Sequence, residues 1–395
     1  MGTIRVSANG RYFVDQEGQP FFWLGDTQWE LFRGVFPTDA AAILERRKQQ
    51  GFTVFQIMLT GVGDGTDPNL AGQSPWIGDD PATPNEAYFQ NVDAVVEQAR
   101  QQGMILALGV FHQLQTARIT PAKARAYAKW LAQRYRDVPN LVWSMYPKAT
   151  PEYIPVLREL AAGLKEGDGG SHLITVHPDP SPASSSFLHA EPWLDFNSIQ
   201  TYNPYERIDG MVRADYARTP VKPVVMAEGG YEGVKSNGLE MPLATRRQAY
   251  WTHLAGGHYS YGHDNNWVSP ATWRDWIDSP GALHLGIYKQ IVTGCRAWWD
   301  LIPDQTVFAS GEGSGLTHNA AARSAGGDWV LAYLSHNAPV SLRMDRITAG
   351  GGAVNAVWID PTTGEQTAIG TFANAGVTDF TPPASWQDAV LLLTA

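Results

Sequence analysis

The sequence predicts an α/β fold, a (β/α)8 TIM barrel followed by a C-terminal β-sandwich. Three observations predict it. Short apolar runs alternate with helical periods, and eight such runs can be counted before Pro303. Strand then helix, repeated, implies a parallel sheet, and eight repeats imply a closed barrel. Beyond Asp304 the helical period stops and short strands follow one another. A doubly wound open sheet is the structural alternative. No glycine-rich phosphate loop follows the first strand, which weakens its nucleotide-binding version.

The elements follow in order. Residues 5–20 read as a small hairpin cap with a turn at Gln16, Glu17 and Gly18. The first buried strand is 21–25, with Asp26 and Thr27 at its end and Gln28 and Trp29 behind them. Pro37, Thr38 and Asp39 open a helix to residue 50, with Ala41, Ile43 and Leu44 as apolar positions, and Gly51 ends it. Strand 52–59 leads into a loop rich in Gly, Asp and Pro that runs through Pro84. Loops of that length are usually functional, and Trp76 within it is either a lid or a pin. Helix 85–102 is capped by Gly103, and strand 104–111 ends in His112. Helix 120–136, strand 141–146, helix 151–166 and strand 173–176 follow, the last ending in His177. Strand 196–200 precedes Thr201, Tyr202 and Asn203. Val224, Val225, Met226 and Ala227 form a buried strand that runs straight into Glu228 and two glycines. Helix 242–254 and strand 258–262 complete the eight. The barrel is therefore expected over 1–303 and the sandwich over 304–395, with strands at 329–335, 354–359, 366–369 and 389–393. Pro361, Thr362, Thr363 and Gly364 make a turn between two of them.

Composition narrows the function. A hydrophobic content of 44% with 17% charged residues is that of a globular chain. A net charge of −10 argues against a nucleic-acid partner. No apolar window of about eighteen residues exists, so no membrane partner is expected. The first residues carry no apolar signal region, which leaves the cytoplasm, or secretion with a leader already removed. Cys295 is the only cysteine, which excludes an intrachain disulfide and a cysteine-rich metal site. No metal or other cofactor is expected. Fifteen Trp and fifteen Tyr suit stacking on sugar C–H faces, and equally an ordinary large core.

The candidate chemistry lies behind the strands. Glu228 ends the seventh strand, with glycines that let the backbone bend around a ligand. That is the expected form of a glycosidase nucleophile, set against the plainer reading of an acid in a surface loop. Asp26 could take two sugar hydroxyls or cap a turn. Trp29, His112, Tyr146, His177, Tyr202 and Asn203 follow or end their strands as binding groups, though a histidine there is as often a structural hydrogen-bond partner. His263, Asp264, Asn266 and Trp267 follow strand eight. They lack a second ligand set of matched spacing, so a sugar subsite with Trp267 as platform is the better reading than a metal site.

Several of these segments resemble a known family. Asn9-Gly10-Arg11-Tyr12-Phe13, Phe22-Trp23-Leu24-Gly25-Asp26-Thr27-Gln28-Trp29, Arg46 with Gln50-Gly51-Phe52, and Met226-Ala227-Glu228 resemble the DUF4038 proteins. These are apiosidase-like glycoside hydrolases of family 140. The tail, with Trp358-Ile359-Asp360-Pro361-Thr362-Thr363-Gly364 and Asp388-Ala389-Val390-Leu391-Leu392, resembles the sandwich domain that usually follows them and carries a collagen-binding label. The resemblance covers nearly the whole chain. It implies cleavage of a glycosidic bond in a plant or microbial glycan, at a furanosyl residue of apiosyl type, by a retaining mechanism with two carboxylates. Glu228 matches the family's nucleophile. The partner acid should follow strand four, where the family reads Trp-x-x-Gly-Gly-Asp. Here the segment is Trp143-Ser144-Met145-Tyr146-Pro147-Lys148, so Lys148 holds the acid's position. A retaining glycosidase needs a general acid, and an ammonium beside a carboxylate keeps its proton. Either Glu152 or Asp179 supplies the proton, or the chemistry differs, or the barrel binds carbohydrate without cleaving it.

Overall fold

The computed structural model describes residues 2–146, 149–233 and 241–395. Eight parallel strands form the barrel: β1 (Leu24–Thr27), β2 (Val54–Met58), β3 (Ile105–Gly109), β4 (Leu141–Met145), β5 (Ile174–Val176), β6 (Asn197–Gln200), β7 (Val224–Glu228) and β8 (His258–Gly262). They are ordered β5-β4-β3-β2-β1-β8-β7-β6 through seven parallel ladders. Among the described residues, no ladder joins β5 to β6. There Thr175 Oγ1 donates to the Phe196 carbonyl at 2.8 Å and lies 2.9 Å from Ser198 Oγ. The Asp195 N–H, just before β6, donates to the Ile174 carbonyl at 2.9 Å.

Every barrel strand is buried along its length, as parallel strands covered on both faces must be. Inside the barrel, Trp23, Val54, Ala107, Val142, Phe196, Val225 and Ala227 pack together. A three-stranded antiparallel cap, Arg5–Val6, Phe13–Val14 and Pro20–Phe21, closes the bottom. Its Phe13 ring lies 5.2 Å from both Trp23 and Phe196. Pairing of Phe21 with Phe13 draws residue 21 into the cap, so β1 begins at Leu24 rather than at 21. Asp26 and Thr27 thereby belong to the strand and not to the loop behind it.

The helices include α1 (Pro37–Gln49), α2 (Glu86–Gln102), α3 (Pro121–Arg134), α4 (Ile154–Asp168), α5 (Ser185–Leu188), α6 (Ile208–Tyr216), α7 (Leu243–Leu254) and α8 (Pro280–Thr293), with further single helical turns at Asn265–Val268 and Trp273–Trp276. Their boundaries have local causes. Asn85 Oδ1 accepts the Ala87 N–H at the start of α2, and Gly103 ends it at φ 71°, a left-handed position that favours glycine. The face of α2 bearing Tyr88, Val92, Val95 and Ala99 turns to the strands.

The C-terminal strands are β9 (Leu301–Pro303), β10 (Phe308–Ser310), β11 (Ala320–Ser324), β12 (Trp329–Leu334), β13 (Val340–Arg343), β14 (Ala353–Ile359), β15 (Gln366–Ala373), β16 (Val377–Phe380) and β17 (Ala389–Thr394). They form antiparallel sheets ordered β9-β11-β12-β17-β14-β15 and β10-β13-β16. Along β12, Val330, Ala332 and Leu334 face the sandwich core, while Trp329, Leu331 and Tyr333 join the barrel's core. All twelve residues of α7 are buried, because this sheet covers the helix face that the strands do not. Tyr333 stacks on Tyr250 of α7 at 4.4 Å, and Arg246 of α7 forms a buried ion pair with Asp388.

Candidate active site

Glu228 closes β7 at the C-terminal mouth of the barrel and is buried. Its Oε2 lies 3.2 Å from His177 Nε2, behind β5, and 3.4 Å from the Tyr146 hydroxyl, behind β4. His177 Nδ1 lies 3.1 Å from the Pro178 carbonyl. Tyr202 and Tyr231 also direct their hydroxyls at Glu228. Burial first, then the charge of Glu228, raises both phenols above their ordinary range. Tyr146 is raised for the same reasons. The three phenols therefore stay protonated and act as donors to the carboxylate.

The rings lock one another. Trp29 stacks on Tyr146 at 5.4 Å, and Tyr146 meets His177 edge to face at 4.2 Å. Trp29 Nε1 donates to the Tyr231 hydroxyl at 3.1 Å, so Trp29 orients a donor to Glu228. His112 lies 5.4 Å from Tyr146, with Nδ1 among the backbone groups of Gly63 and Leu114. Burial, opposed by the Gly63 carbonyl and by Glu228, lowers its pKa, so it is neutral at neutral pH. The turn behind Glu228 is clamped by Gln248, which accepts the Gly230 N–H at 2.7 Å and donates to the Gly230 carbonyl at 3.1 Å. A Cβ on Gly229 would come within 2.1 Å of Gln248 Oε1. Asp179 stands half-buried behind β5, and its charge acts on both Tyr146 and Tyr202.

A model of the "Apiosidase-like, catalytic domain" matches residues 7–300. The chain belongs to the apiosidase-like family. A second model, "Putative collagen-binding domain of a collagenase", matches residues 302–394. Among solved structures, one described as a glycoside hydrolase is 26% identical, with a TM-score of 0.90, covering 100% of this chain and 97% of its own. A family 5 glycoside hydrolase from Bacteroides vulgatus is 26% identical, with a TM-score of 0.89, covering 100% of this chain and 93% of its own. An endo-1,4-beta-mannanase from Rhizomucor miehei, 14% identical with a TM-score of 0.52 over 66% of this chain and 90% of its own, shares the barrel fold. No curated protein matches. The apiosidase-like chain is thus a glycoside hydrolase.

The fold brings some of the residues singled out from the sequence together around Glu228 and leaves others apart. Glu228, Trp29, His112, Tyr146, His177, Tyr202 and Asp179 converge. Lys148 lies outside the described residues. Glu152 is exposed in the helical turn Pro151–Tyr153 that leads into α4. Asp26 is a correction. It faces the helix layer, where Arg47 Nε approaches its Oδ2 at 2.7 Å and Gln28 Nε2 at 2.6 Å, in a fully buried pair. Its strand begins later than the sequence suggests, and period-two alternation sends it away from the mouth. Asn203 is exposed beyond β6. His263 is buried, stacked on Trp276 at 5.2 Å, and burial lowers its pKa to about 4. The Asp264 N–H donates to the Glu232 carbonyl. No His, Cys, Asp and Glu group suited to a metal ion occurs among the described residues. Trp267 is partly exposed at 38% in the turn behind β8. Trp76 is buried against Phe111 and Tyr127 and pins its loop. Glu232, four residues beyond Glu228, accepts from the Tyr261 hydroxyl at 2.8 Å and from the Gly281 N–H at 3.0 Å, tying the loop to the N-terminus of α8.

Three contributors were not singled out from the sequence: Tyr231, Gln200 and Gln56. Gln200 sets its side chain against the hydroxyls of Tyr146 and Tyr202, and its buried Oε1 has no partner among the described residues. For Gln56 the available signal was a polar residue inside an otherwise apolar strand, since such residues are buried only for a reason.

Proposed function

We propose that the protein cleaves a glycosidic bond with retention of configuration, Glu228 acting as nucleophile. The carrying observation is the carboxylate of Glu228, buried at the mouth and surrounded by His177 and three phenol donors. These groups orient it and spread its charge, and they release it to an anomeric carbon without giving it a proton to keep. Asp179 is assigned as the acid that protonates the leaving oxygen, since it is the second carboxylate whose charge reaches the same phenols. Tyr202 and Trp267 offer exposed ring faces at the mouth. The substrate class that fits the family is a furanosyl residue of apiosyl type in a plant or microbial glycan.

The test is a panel of aryl and natural glycosides read for released sugar, with the first-formed anomer identified by NMR. Retention is expected, and Glu228→Gln should lower kcat by about four orders of magnitude or more with the fold intact. Near-normal turnover in that variant removes the mechanism. One observation favours a second reading, a barrel that binds carbohydrate without cleaving it. The position where the family has its acid is Lys148. Calorimetric binding of a glycan with no turnover of any glycoside supports that reading instead.

A further inference from the structure

Glu228 does not point where its strand directs it. Along β7, Val224 and Met226 face the helices, while Val225 and Ala227 face the barrel interior. Faces alternate with period two, so residue 228 should face the helices, the side on which Asp26 lies. It faces the interior because β7 carries one residue more than β6 at this point. Met226 is opposite Ile199 and Glu228 is opposite Gln200, with Ala227 between them. A bulge of this kind re-aims a side chain.

The bulge has a dedicated partner. The Ala227 carbonyl accepts from Gln56 Nε2 at 2.7 Å, and the same nitrogen lies 3.1 Å from Thr27 Oγ1 on β1. Gln56 stands on β2 and is buried. A peptide carbonyl can only accept, so the NH2 side of the amide is fixed, and its two protons serve two strands. The strut crosses the barrel and grips the residue immediately before Glu228. We infer that Gln56 is a positioning residue that holds the bulge and thereby aims Glu228 into the mouth. The inference rests on the proposed role of Glu228 for its effect on rate, and on geometry alone for the direction of the side chain.

Gln56→Met keeps the volume and removes the donor. A fall in kcat of about a hundredfold is expected, with KM within about threefold, because a misplacement of about 1 Å is enough for that loss. A crystal structure of the variant should show the Ala227 carbonyl turned and Glu228 withdrawn from His177. Gln56→Glu places a carboxyl that can donate to the Ala227 carbonyl only while protonated. Burial favours that form, so the ratio of variant to wild-type activity should rise as pH falls through the weakly acidic range, a limb additional to the one the general acid gives both proteins. A purely structural role would not produce that limb. If Gln56→Met does not fold, the pH series on Gln56→Glu carries the test. Wild-type kcat in Gln56→Met, an unmoved Glu228 in its structure, or a wild-type pH profile in Gln56→Glu overturns the inference. If Glu228→Gln proves fully active, the nucleophile assignment fails, while the crystal structure of Gln56→Met still decides what aims the side chain.

Discussion

Replacing Asp388 by Ala should destabilise the whole molecule. Asp388 stands one residue before β17, and its carboxylate accepts from Arg246 Nε and Nη2 and from the Tyr333 hydroxyl, each at 2.7 Å. The two charged side chains are 2% and 1% exposed. Removing the acid leaves a guanidinium in the interior with no counter-charge, and breaking a buried pair from one side costs about 3–5 kcal/mol. Unfolding entropy of about 2.1 cal/mol/K per residue, taken over a chain of this length, gives about 0.8 kcal/mol per degree. The Tm should therefore fall by about 4–6 °C. The same helix, α7, is packed by the barrel on one side and by the sandwich on the other, so scanning calorimetry should show one shifted transition. Arg246→Met combined with Asp388→Leu removes both charges and should recover most of the loss. An unchanged Tm, or a barrel transition left in place while a separate sandwich transition moves, would refute a shared core.

Three further outcomes are expected. Asp179→Asn should lose at least about a hundredfold on glycosides with poor leaving groups and much less on activated aryl glycosides, which depart unprotonated. Equal losses on both would remove Asp179 as the acid. Lys148→Asp restores the family's residue; with Asp179 as the acid it should leave activity on unactivated glycosides within about threefold of wild type, and a large rise would return the acid's role to the loop behind β4. The third concerns pH and stability. Burial, then His258, lowers His253 to about 3, against an unfolded value of 6.5. Between those values the unfolded chain holds a proton that the folded one does not, so stability falls as pH falls, by about 1.4 kcal/mol per pH unit. His253→Phe keeps a ring near Phe22 and Tyr288, where the Nε2 of His253 has no partner among the described residues. Denaturant titrations at pH 7 and pH 5 should show the acid loss reduced by about 2 kcal/mol, and an unaltered slope would count against this account.

What could be read in the sequence was what local chemistry settles. Asn85 and Gly103 bracket α2 because a cap and a left-handed glycine act within one turn, and the run 224–227 is apolar because both of its faces are covered. Glu228 was legible as a strand-end acid. Its direction was not, because the bulge at Ala227 depends on the partner strand and on Gln56, far off in sequence. Asp26 failed for a related reason: the phase of a four-residue strand is decided by where the cap sheet releases the chain. Strands such as Phe308–Ser310 are too short to display an alternation, and they acquire their faces only when the sandwich closes. The phenols were each visible, yet only folding shows that Tyr146, Tyr202 and Tyr231 meet at one oxygen pair.

The missing ladder between β5 and β6 makes the barrel a ring with a clasp, and the clasp lies directly beneath the active site. His177 and Asp179 hang from one side of it, and Gln200 and Tyr202 from the other, with Glu228 aligned on the latter side. The aperture at this point is spanned not by a run of backbone bonds but by the hydroxyls of Thr175 and Ser198 and by Asp195, whose N–H donates to the Ile174 carbonyl and whose carboxylate accepts the Ile174 N–H. The spacing between two carboxyls is what separates retaining from inverting geometry in glycosidases. If Glu228 and Asp179 are that pair, residues that never meet the sugar set their spacing, and a change of one hydroxyl at the clasp is a short route by which such a barrel could be retuned.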